Sequence, residues 1–338
     1  MKIFGIKIPA ILCETFVLGM GLFTLSACSG TWPAVPLIRY VFSRDSDRTV
    51  RKLQAHQPSH VSALLDQPYD SNRPDALLDV FYPDNTVAPA SPLTIVWVHG
   101  GAWVSGNKNQ LSGYARILAA RGFTVVTVDY SLSPATHFPI AVREVNAALS
   151  YLERHASGLH VDPTRIVLAG DSAGAQIAAV LANAIADPGF ARAIGVTPSI
   201  SRQQLAGALL YCGVYDLEAL ASADRYRYFL RAILRAYSGT DSFMTDSAFA
   251  YASVVRYVSE DFPPTFISAG NADPLREQSV AFAQALARQS VVTRQLFFPS
   301  AYLPPLPHEY QFNLGAAGGQ LALEQSVQFL EQLSGIDK

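Results

Sequence analysis

The sequence predicts an α/β fold built on a doubly wound, mostly parallel sheet. From about residue 77 onward, short apolar runs rich in β-branched residues alternate with longer helical patterns. Several runs, such as 95–98 and 125–128, contain no charged residue, which is typical of strands buried on both faces of a parallel sheet. Strand and helix alternate in this way when successive βαβ units build one sheet.

The alternation predicts where each element lies. Strands are expected at 77–82, 93–99, 123–129, 165–169, 205–212, 264–268 and 291–298. Helices are expected near 111–121, 139–156, 173–186, 276–289 and 319–334. We assign 77–338 to the α/β domain and 28–76 to an N-terminal tether and candidate cap segment, because 29–76 holds no evident strand.

One stretch within the α/β domain interrupts the pattern. Residues 213–262 follow a strand and contain two aromatic-rich helical patterns, at 225–237 and 248–257. Ligands of open α/β folds bind beyond the carboxyl ends of the strands, so these helices are candidates for a small cap over that edge. Ordinary surface helices are the alternative.

Composition limits the classes of function. Of the 338 residues, 50% are hydrophobic and 15% are charged, so the chain can bury a sizeable core and is not intrinsically disordered. A formal charge of −2 at pH 7 provides no positive field for phosphate groups. We therefore expect no nucleic-acid partner.

The N-terminus has the features of an export signal. Lys2 and Lys7 precede a mostly apolar stretch at 8–25, which ends in Ala27 and Cys28. A small residue before a cysteine, after such a stretch, resembles the lipobox of bacterial lipoprotein signal peptides. The resemblance implies cleavage of residues 1–27 and acylation of Cys28, which would anchor the protein in a membrane.

The residues around this cysteine refine the expectation. Ser29 follows Cys28 where an aspartate would indicate retention in the inner membrane, so attachment to the outer membrane of a Gram-negative cell is expected. An uncleaved membrane anchor is the alternative, but Glu14 lies within the apolar stretch and would cost about 2.5–3.5 kcal/mol at mid-membrane. Because Cys13 and Cys28 are accounted for by this processing, Cys212 has no disulfide partner. Its apolar surroundings predict a small buried side chain.

The candidate nucleophile is Ser172. It is the centre of the motif G-D-S-A-G at 170–174, which lies between a predicted strand and an alanine-rich predicted helix. In this context the motif predicts the nucleophile elbow of an α/β-hydrolase fold, a sharp turn that lifts the serine hydroxyl above the sheet. The helix N-terminus then directs backbone N–H groups towards developing negative charge.

The other members of a catalytic triad should follow the serine in the order acid, then histidine. Of the seven histidines, His308 is the one that lies after Ser172, so it is the candidate base. Asp273, after the strand predicted at 264–268, is the candidate acid that would orient the imidazole. Asp216 is the runner-up because it also follows a strand, and Glu277 is a weaker candidate because it falls in the next helix.

Further motifs connect the chain with a known family. They are H-G-G-A-W at 99–103, D-Y-S-L-S-P at 129–134, G-V-Y-D-L at 213–217, S-A-G-N-A-D-P-L at 268–275 and P-H-E-Y at 307–310. In this order they resemble the esterases related to hormone-sensitive lipase. The resemblance implies that the oxyanion is bound by the amides of Gly101, Ala102 and Ala173. It also implies that Asp216 is structural.

The loop at 99–103 departs from the family pattern. Ala102 replaces the third glycine, which retains the amide donor but leaves less room on the alcohol side of a bound ester. His99 precedes Ser172 and is expected to brace the loop, whereas Trp103 is either a wall of the pocket or part of the core.

The expected activity is that of a serine carboxylesterase acting on small esters with short or medium acyl chains. The triad and oxyanion amides need neither a metal nor an organic cofactor, and His308-Glu309 does not continue as the zinc motif H-E-x-x-H. An amidase or arylformamidase of the same fold is one alternative. A non-catalytic binding protein of the cell envelope is the other, and the complete set of Ser172, Asp273 and His308 disfavours it.

Overall fold

An eight-stranded, mostly parallel sheet forms the centre of the protein in the computed structural model, which describes residues 2–3, 6–7, 34–84, 93–223 and 227–335. The strands are β1 (Val61–Pro68), β2 (Leu77–Pro83), β3 (Thr94–Val98), β4 (Thr124–Val128), β5 (Ile166–Asp171), β6 (Leu205–Tyr211), β7 (Thr265–Ala269) and β8 (Thr293–Phe297). Their order is β1-β2-β4-β3-β5-β6-β7-β8. The pairs β1–β2 and β2–β4 are antiparallel, and the other neighbours are parallel.

The predicted α/β fold is confirmed, with one strand missed. The seven predicted strands correspond to β2 to β8, with bounds that agree within two residues. The expectation that 29–76 lacks a strand is wrong, because β1 lies there. As an edge strand, β1 is not fully buried, with Leu65 52% exposed, and its register shifts between Leu64 and Gln67. It therefore lacks the continuous apolar run by which the other strands are recognised.

Nine α-helices accompany the sheet in the part of the chain that the structure describes. They are α1 (Ala34–Gln54), α2 (Ser112–Ala119), α3 (Ile140–Arg154), α4 (Ser172–Ala186), α5 (Pro188–Ala193), α6 (Leu217–Ala221), α7 (Arg227–Ser238), α8 (Arg276–Arg288) and α9 (Ala317–Ser334). The five helices predicted between the strands correspond to α2, α3, α4, α8 and α9. Of the patterns in 213–262, the first forms α7, whereas the second forms two short 3₁₀ turns, Phe249–Ala252 and Val254–Arg256.

The core lies on both faces of the sheet. Successive side chains of a strand point to opposite faces, and those of β3 divide between two buried apolar clusters. Val96 and Val98 belong to the cluster that includes α3, α4 and α8, whereas Ile95 and Trp97 belong to the cluster with α2 and α9. The sheet is thus covered on both sides, as expected for buried parallel strands.

Most of the signal-like stretch at 1–27 lies outside the described residues. Cys28 also lies outside them. Upstream of α1 the structure describes one short antiparallel pair, Lys2–Ile3 with Ile6–Lys7. None of the described helices is both long and apolar enough to cross a membrane.

Candidate active site

Ser172 occupies a sharp turn between β5 and α4. Its φ of 52° lies in the left-handed region, which non-glycine residues adopt where surrounding structure enforces it. The flanking glycines allow this turn. A Cβ on Gly170 would lie 2.5 Å from the Gly174 carbonyl carbon, and a Cβ on Gly174 would lie 2.0 Å from the Val98 carbonyl oxygen. Larger residues at either position would therefore push the strand and the helix apart.

Ser172, His308 and Asp273 form a continuous hydrogen-bonded chain. His308 Nε2 lies 3.0 Å from Ser172 Oγ, and His308 Nδ1 lies 3.0 and 3.1 Å from the two carboxylate oxygens of Asp273. A carboxylate can only accept, so Nδ1 carries the proton and Nε2 is free to accept from the hydroxyl. The three residues follow β5, β8 and β7, whose parallel carboxyl ends meet at one edge of the sheet.

Burial and charge set the protonation of this chain. The Asp273 side chain is fully buried, and that of His308 is 11% exposed. Burial alone would lower the pKa of His308, but the charge and hydrogen bond of Asp273, together with those of Cys212, outweigh it and hold that pKa well above its usual value. The pair therefore stabilises the imidazolium form that accepting a serine proton would create.

The competing carboxylates lie elsewhere. Asp216 caps the N-terminus of α6 and accepts from the amides of Glu218 and Ala219. Glu277 is an exposed residue of the first turn of α8, where it pairs with Arg276. The structure therefore brings Asp273, and neither alternative, to His308.

The loop after β3 brings backbone amides to the same cleft as Ser172. Gly101 and Ala102 have φ values of 121° and 53°, and a Cβ on Gly101 would lie 2.0 Å from the Ser105 carbonyl oxygen. Within the described residues, the amides of Gly101 and Ala102 donate to no protein acceptor. Ala173 follows Ser172 in the first turn of α4, where helix amides have no partner within the helix. The three predicted oxyanion donors thus line one cleft with Ser172.

His99 holds the start of this loop from inside the protein. Its ring is buried, stacks on Tyr130 at 4.3 Å between centroids, and donates from Nδ1 to the Gly100 carbonyl oxygen at 2.7 Å. Burial lowers the pKa of His99 to about 4, so the imidazole is neutral at pH 7. These contacts agree with the expected bracing role.

Trp103 connects the loop to the helices above it. It is only 2% exposed and also lines the cleft, so it is both part of the core and a wall of the pocket. Its ring stacks on Tyr237 of α7, and its Nε1 donates to Gln176 Oε1 at 3.0 Å. The Tyr237 hydroxyl donates to the same oxygen, and Gln176 Nε2 donates to the Ala252 carbonyl oxygen. This buried network joins the loop, α4 and the 213–262 region.

Two helices from distant parts of the sequence cover the cleft. Residues of α1 (Phe42, Ser46, Thr49) and of α7 (Phe229, Leu230, Ile233) line it, and the rings of Phe42 and Phe229 meet edge to face at 6.1 Å. The cap-like arrangement of α7 is therefore favoured over that of an ordinary surface helix. The cleft encloses about 1040 Å³ of empty space, including its opening to solvent.

Sequence reasoning missed a contact between α1 and the loop. Arg39 Nε donates to the Val104 carbonyl oxygen at 2.6 Å, and Arg39 Nη2 donates to the Ser133 carbonyl oxygen at 3.0 Å. One guanidinium thus joins α1 to the loop after β3 and to the loop after β4. No local pattern in the sequence marks this arginine among its neighbours.

A second pair of carboxylates beside the triad was also missed. Asp171 is buried and accepts from Trp97 Nε1 at 2.8 Å and from the Gly100 amide at 2.9 Å. Burial, followed by the nearby Glu309 charge, raises the pKa of Asp171 well above its usual value. Glu309 Oε1 lies 3.8 Å from His308 Nε2. The sequence signal for Glu309 is its place next to His308 in the motif P-H-E-Y.

Comparison with known proteins identifies the family of the chain. The family model described as BD-FAE matches residues 78–286, which is more than half of the chain. The chain belongs to the BD-FAE family. The matched segment contains Ser172, Asp273 and the loop at 99–103, whereas His308 lies beyond it.

Solved structures of esterases share the fold of this BD-FAE protein. Esterase B from Lactobacillus rhamnosis is 22% identical, with a TM-score of 0.76 over 89% of this chain and 95% of its own. The hyperthermophilic esterase from the archaeon Pyrobaculum calidifontis is 23% identical, with a TM-score of 0.69 and coverage of 96% and 98%. A bacterial heroin esterase is 25% identical, with a TM-score of 0.67 and coverage of 88% and 92%. The protein has the α/β-hydrolase fold.

Proposed function

We propose that this protein is a serine carboxylesterase in which Ser172, His308 and Asp273 are the catalytic triad. The observation that carries the proposal is the hydrogen-bonded chain from Ser172 Oγ through both nitrogens of His308 to Asp273. The esterases named above, which share the fold and most of their length with this chain, support ester hydrolysis as the reaction.

The proposed reaction is acyl transfer to water. Ser172 Oγ attacks the ester carbonyl while His308 Nε2 takes its proton, and Asp273 stabilises the imidazolium. The amides of Gly101, Ala102 and Ala173 donate to the oxyanion of the tetrahedral intermediate. His308 then protonates the leaving alcohol, and water repeats the two steps on the acyl-enzyme.

The substrate is proposed to be a small ester with a short or medium acyl chain. Apolar side chains form much of the wall of the cleft, which suits the apolar chain of a small ester. Esterase B has been solved with a tributyrin phosphonate, an inhibitor with four-carbon acyl chains, which supports a similar range here.

Labelling by a fluorophosphonate tests the nucleophile. We expect the wild-type protein to label and Ser172→Ala to remain unlabelled, because the phosphonate bonds covalently to an activated serine oxygen. Ser105→Ala, which removes another serine hydroxyl from the cleft wall, is the matched control and should label like the wild type. A wild-type protein that does not label, or equal labelling of Ser172→Ala, would refute the serine-hydrolase proposal.

The choice of substrate distinguishes esterase from amidase. Turnover of p-nitrophenyl acetate without turnover of N-formylkynurenine supports the carboxylesterase. The reverse result would make the protein an arylformamidase with the same triad. A profile over p-nitrophenyl esters of increasing chain length then measures the acyl preference.

We also propose that the mature protein is anchored to the outer membrane of a Gram-negative cell through acylated Cys28. The support comes from the sequence around the cysteine, since Cys28 lies outside the described residues. Cells grown with radioactive palmitate should label the wild-type protein but not Cys28→Ser. Cys212→Ser is the matched control and should still label. Labelling of Cys28→Ser would contradict the anchor.

A further inference from the structure

A potential metal-binding cluster overlaps the proposed triad. Among the residues that the structure describes, Cys212, Asp273 and His308 form one group whose possible ligand atoms all lie within 4.8 Å of one another. We infer that this group binds a thiophilic divalent cation such as Zn²⁺, and that the bound ion switches catalysis off. The effect on catalysis rests on the proposed function, whereas binding of the ion does not.

The topology explains why these three residues meet. Cys212 directly follows β6, Asp273 lies in the loop after β7, and His308 lies in the loop after β8. The strands are parallel neighbours, so their carboxyl ends are adjacent. Cys212 adopts a left-handed φ of 43°, its amide donates to the Ser268 carbonyl oxygen at 2.7 Å, and its thiol lies within hydrogen-bonding reach of the His308 imidazole.

The donor atoms match the preferences of zinc. Thiolate sulfur, imidazole nitrogen and carboxylate oxygen are its usual ligands, at about 2.0–2.3 Å. Neighbouring ligands of a tetrahedral site at those bond lengths are about 3.4–3.6 Å apart. The widest pair of the cluster, at no more than 4.8 Å, therefore has to contract by about 1 Å at most, and the pair of His308 Nδ1 and Asp273 Oδ1 has to open slightly from 3.0 Å. Three protein ligands leave the fourth position for water.

Coordination would remove the proton acceptor that the reaction needs. His308 Nδ1 faces Asp273 and Nε2 faces Ser172, so an ion held together with Asp273 takes the Nδ1 lone pair. Starting from the neutral imidazole that acts as the base, the Cys212 thiol and Nδ1 each lose a proton and Nε2 gains one, so one proton is released overall as metal–sulfur, metal–nitrogen and metal–oxygen bonds form. Starting from the imidazolium, Nε2 already carries its proton and two protons are released. Protonated Nε2 can no longer accept the proton of Ser172 Oγ.

The setting of Cys212 favours coordination over direct modification of the thiol. The side chain is fully buried, and burial raises the pKa of Cys212 to about 11. With no exposed surface, the thiol is shielded from bulky alkylating agents, whereas a small ion needs less room to reach it. A coordinating ion displaces the thiol proton itself. Because His308 lines the cleft and Cys212 does not, the ion must pass the imidazole, and we expect slow onset.

Cadmium serves as the spectroscopic probe of binding. Wild-type protein titrated with Cd²⁺ should develop the ultraviolet charge-transfer band of a cadmium thiolate and bind one more ion per chain in equilibrium dialysis than Cys212→Ser. Any other cysteine is the same in both proteins, so its contribution cancels. Equal bands and equal stoichiometry in the two proteins would overturn the site.

Hydrolysis of p-nitrophenyl acetate measures the switch. Preincubation with Zn²⁺ should inhibit the wild type slowly, a chelator should restore it, and Cys212→Ser should need at least about tenfold more metal because its hydroxyl is a poor ligand for a soft ion. Cys212-dependent Cd²⁺ binding that leaves activity unchanged would refute the switch. Cys212-dependent binding to a protein that hydrolyses no ester would refute the proposed function and leave the metal site standing.

A third measurement covers the case in which Cys212→Ser does not fold. X-ray absorption at the zinc edge of the wild-type protein should show one sulfur ligand together with nitrogen or oxygen ligands. A shell of nitrogen and oxygen alone would overturn the inference.

Discussion

Left-handed backbone conformations at non-glycine residues are concentrated around Ser172. Ala102, Trp103, Ser172, Cys212 and Glu309 all have φ values between 43° and 60°. Such conformations typically cost about 1 kcal/mol or more each, and they persist where neighbouring contacts determine them. The proposed nucleophile, an oxyanion amide and the neighbour of the base are therefore held in position before a substrate arrives.

The identity of the acid can be tested at the level of single residues. Asp273→Asn should lower kcat by about 10⁴-fold, because the amide favours the wrong tautomer of His308. Asp216→Asn is the matched control and should leave kcat nearly unchanged, since asparagine is as good a helix N-cap as aspartate. Steady-state kinetics on p-nitrophenyl acetate measures both. A large loss in Asp216→Asn with little loss in Asp273→Asn would reverse the assignment.

At the level of elements, α1 is part of the site rather than a spacer before the domain. It covers the cleft together with α7, and Arg39 holds two loops through their carbonyl oxygens. Hydrogen bonds from charged groups contribute about 1.5–3 kcal/mol. The geometry of the loop that holds the proposed oxyanion amides therefore depends on a helix far away in sequence.

Arg39→Ala should lower kcat by about tenfold or more while KM changes little, because misplaced amides affect the transition state more than substrate binding. Arg44→Ala is the control on the same helix, where Arg44 is exposed and its guanidinium donates to the hydroxyl of Tyr40 within α1 at 3.3 Å. A rise in KM at constant kcat would show that Arg39 serves substrate binding instead.

The elements differ in how far the sequence predicts them. Strands buried on both faces, such as β3 and β4, are continuous apolar runs and are easily recognised. The edge strand β1 was not predicted, because it is half exposed and its apolar pattern is interrupted by Asp66, Gln67 and a change of register. The predicted triad residues meet because each follows a strand of the parallel part of the sheet. The sequence shows this, since each motif comes after a predicted strand.

Contacts between distant segments could not be predicted in the same way. Nothing in residues 34–54 indicates which face of α1 meets the cleft. The contacts of Phe42 and Arg39 could therefore not be predicted. Likewise, the sequence marks Cys212 as buried but not as a neighbour of His308. These relations depend on how the helices and loops pack on the sheet, which one-dimensional periodicity does not specify.

For the whole molecule, a half-buried carboxylate links pH to stability. Asp129, at the end of β4, accepts the Lys108 amide at 2.6 Å, and its side chain is 21% exposed. Burial raises the pKa of Asp129 to about 6, against the partial opposition of Lys108. A carboxyl group with a higher pKa in the folded than in the unfolded state favours folding while it is protonated. The stabilisation from Asp129 is therefore complete below the pKa of the unfolded state and is lost as the pH rises through about 6, the pKa in the folded state.

Asp129→Asn should therefore unfold at a higher temperature than the wild type at pH 8. The shift in the pKa of Asp129 corresponds to about 2–3 kcal/mol in the free energy of unfolding. The amide oxygen of asparagine can still accept the hydrogen bond from the Lys108 amide. The difference between the two proteins should vanish by about pH 4, where both side chains are neutral. Thermal melts across this range measure it. A constant difference at every pH would contradict a role for ionisation.

The position of α1 determines where the chain can be shortened. The segment matched by the family model, 78–286, would retain Ser172 and Asp273 but would lack His308, β8 and the helix that carries Arg39. A soluble form for crystallisation or assay should therefore begin before Ala34, which follows Cys28 by six residues, and should extend through α9. Purification tags at the amino end need a spacer, because residues of α1 line the cleft that an ester would enter.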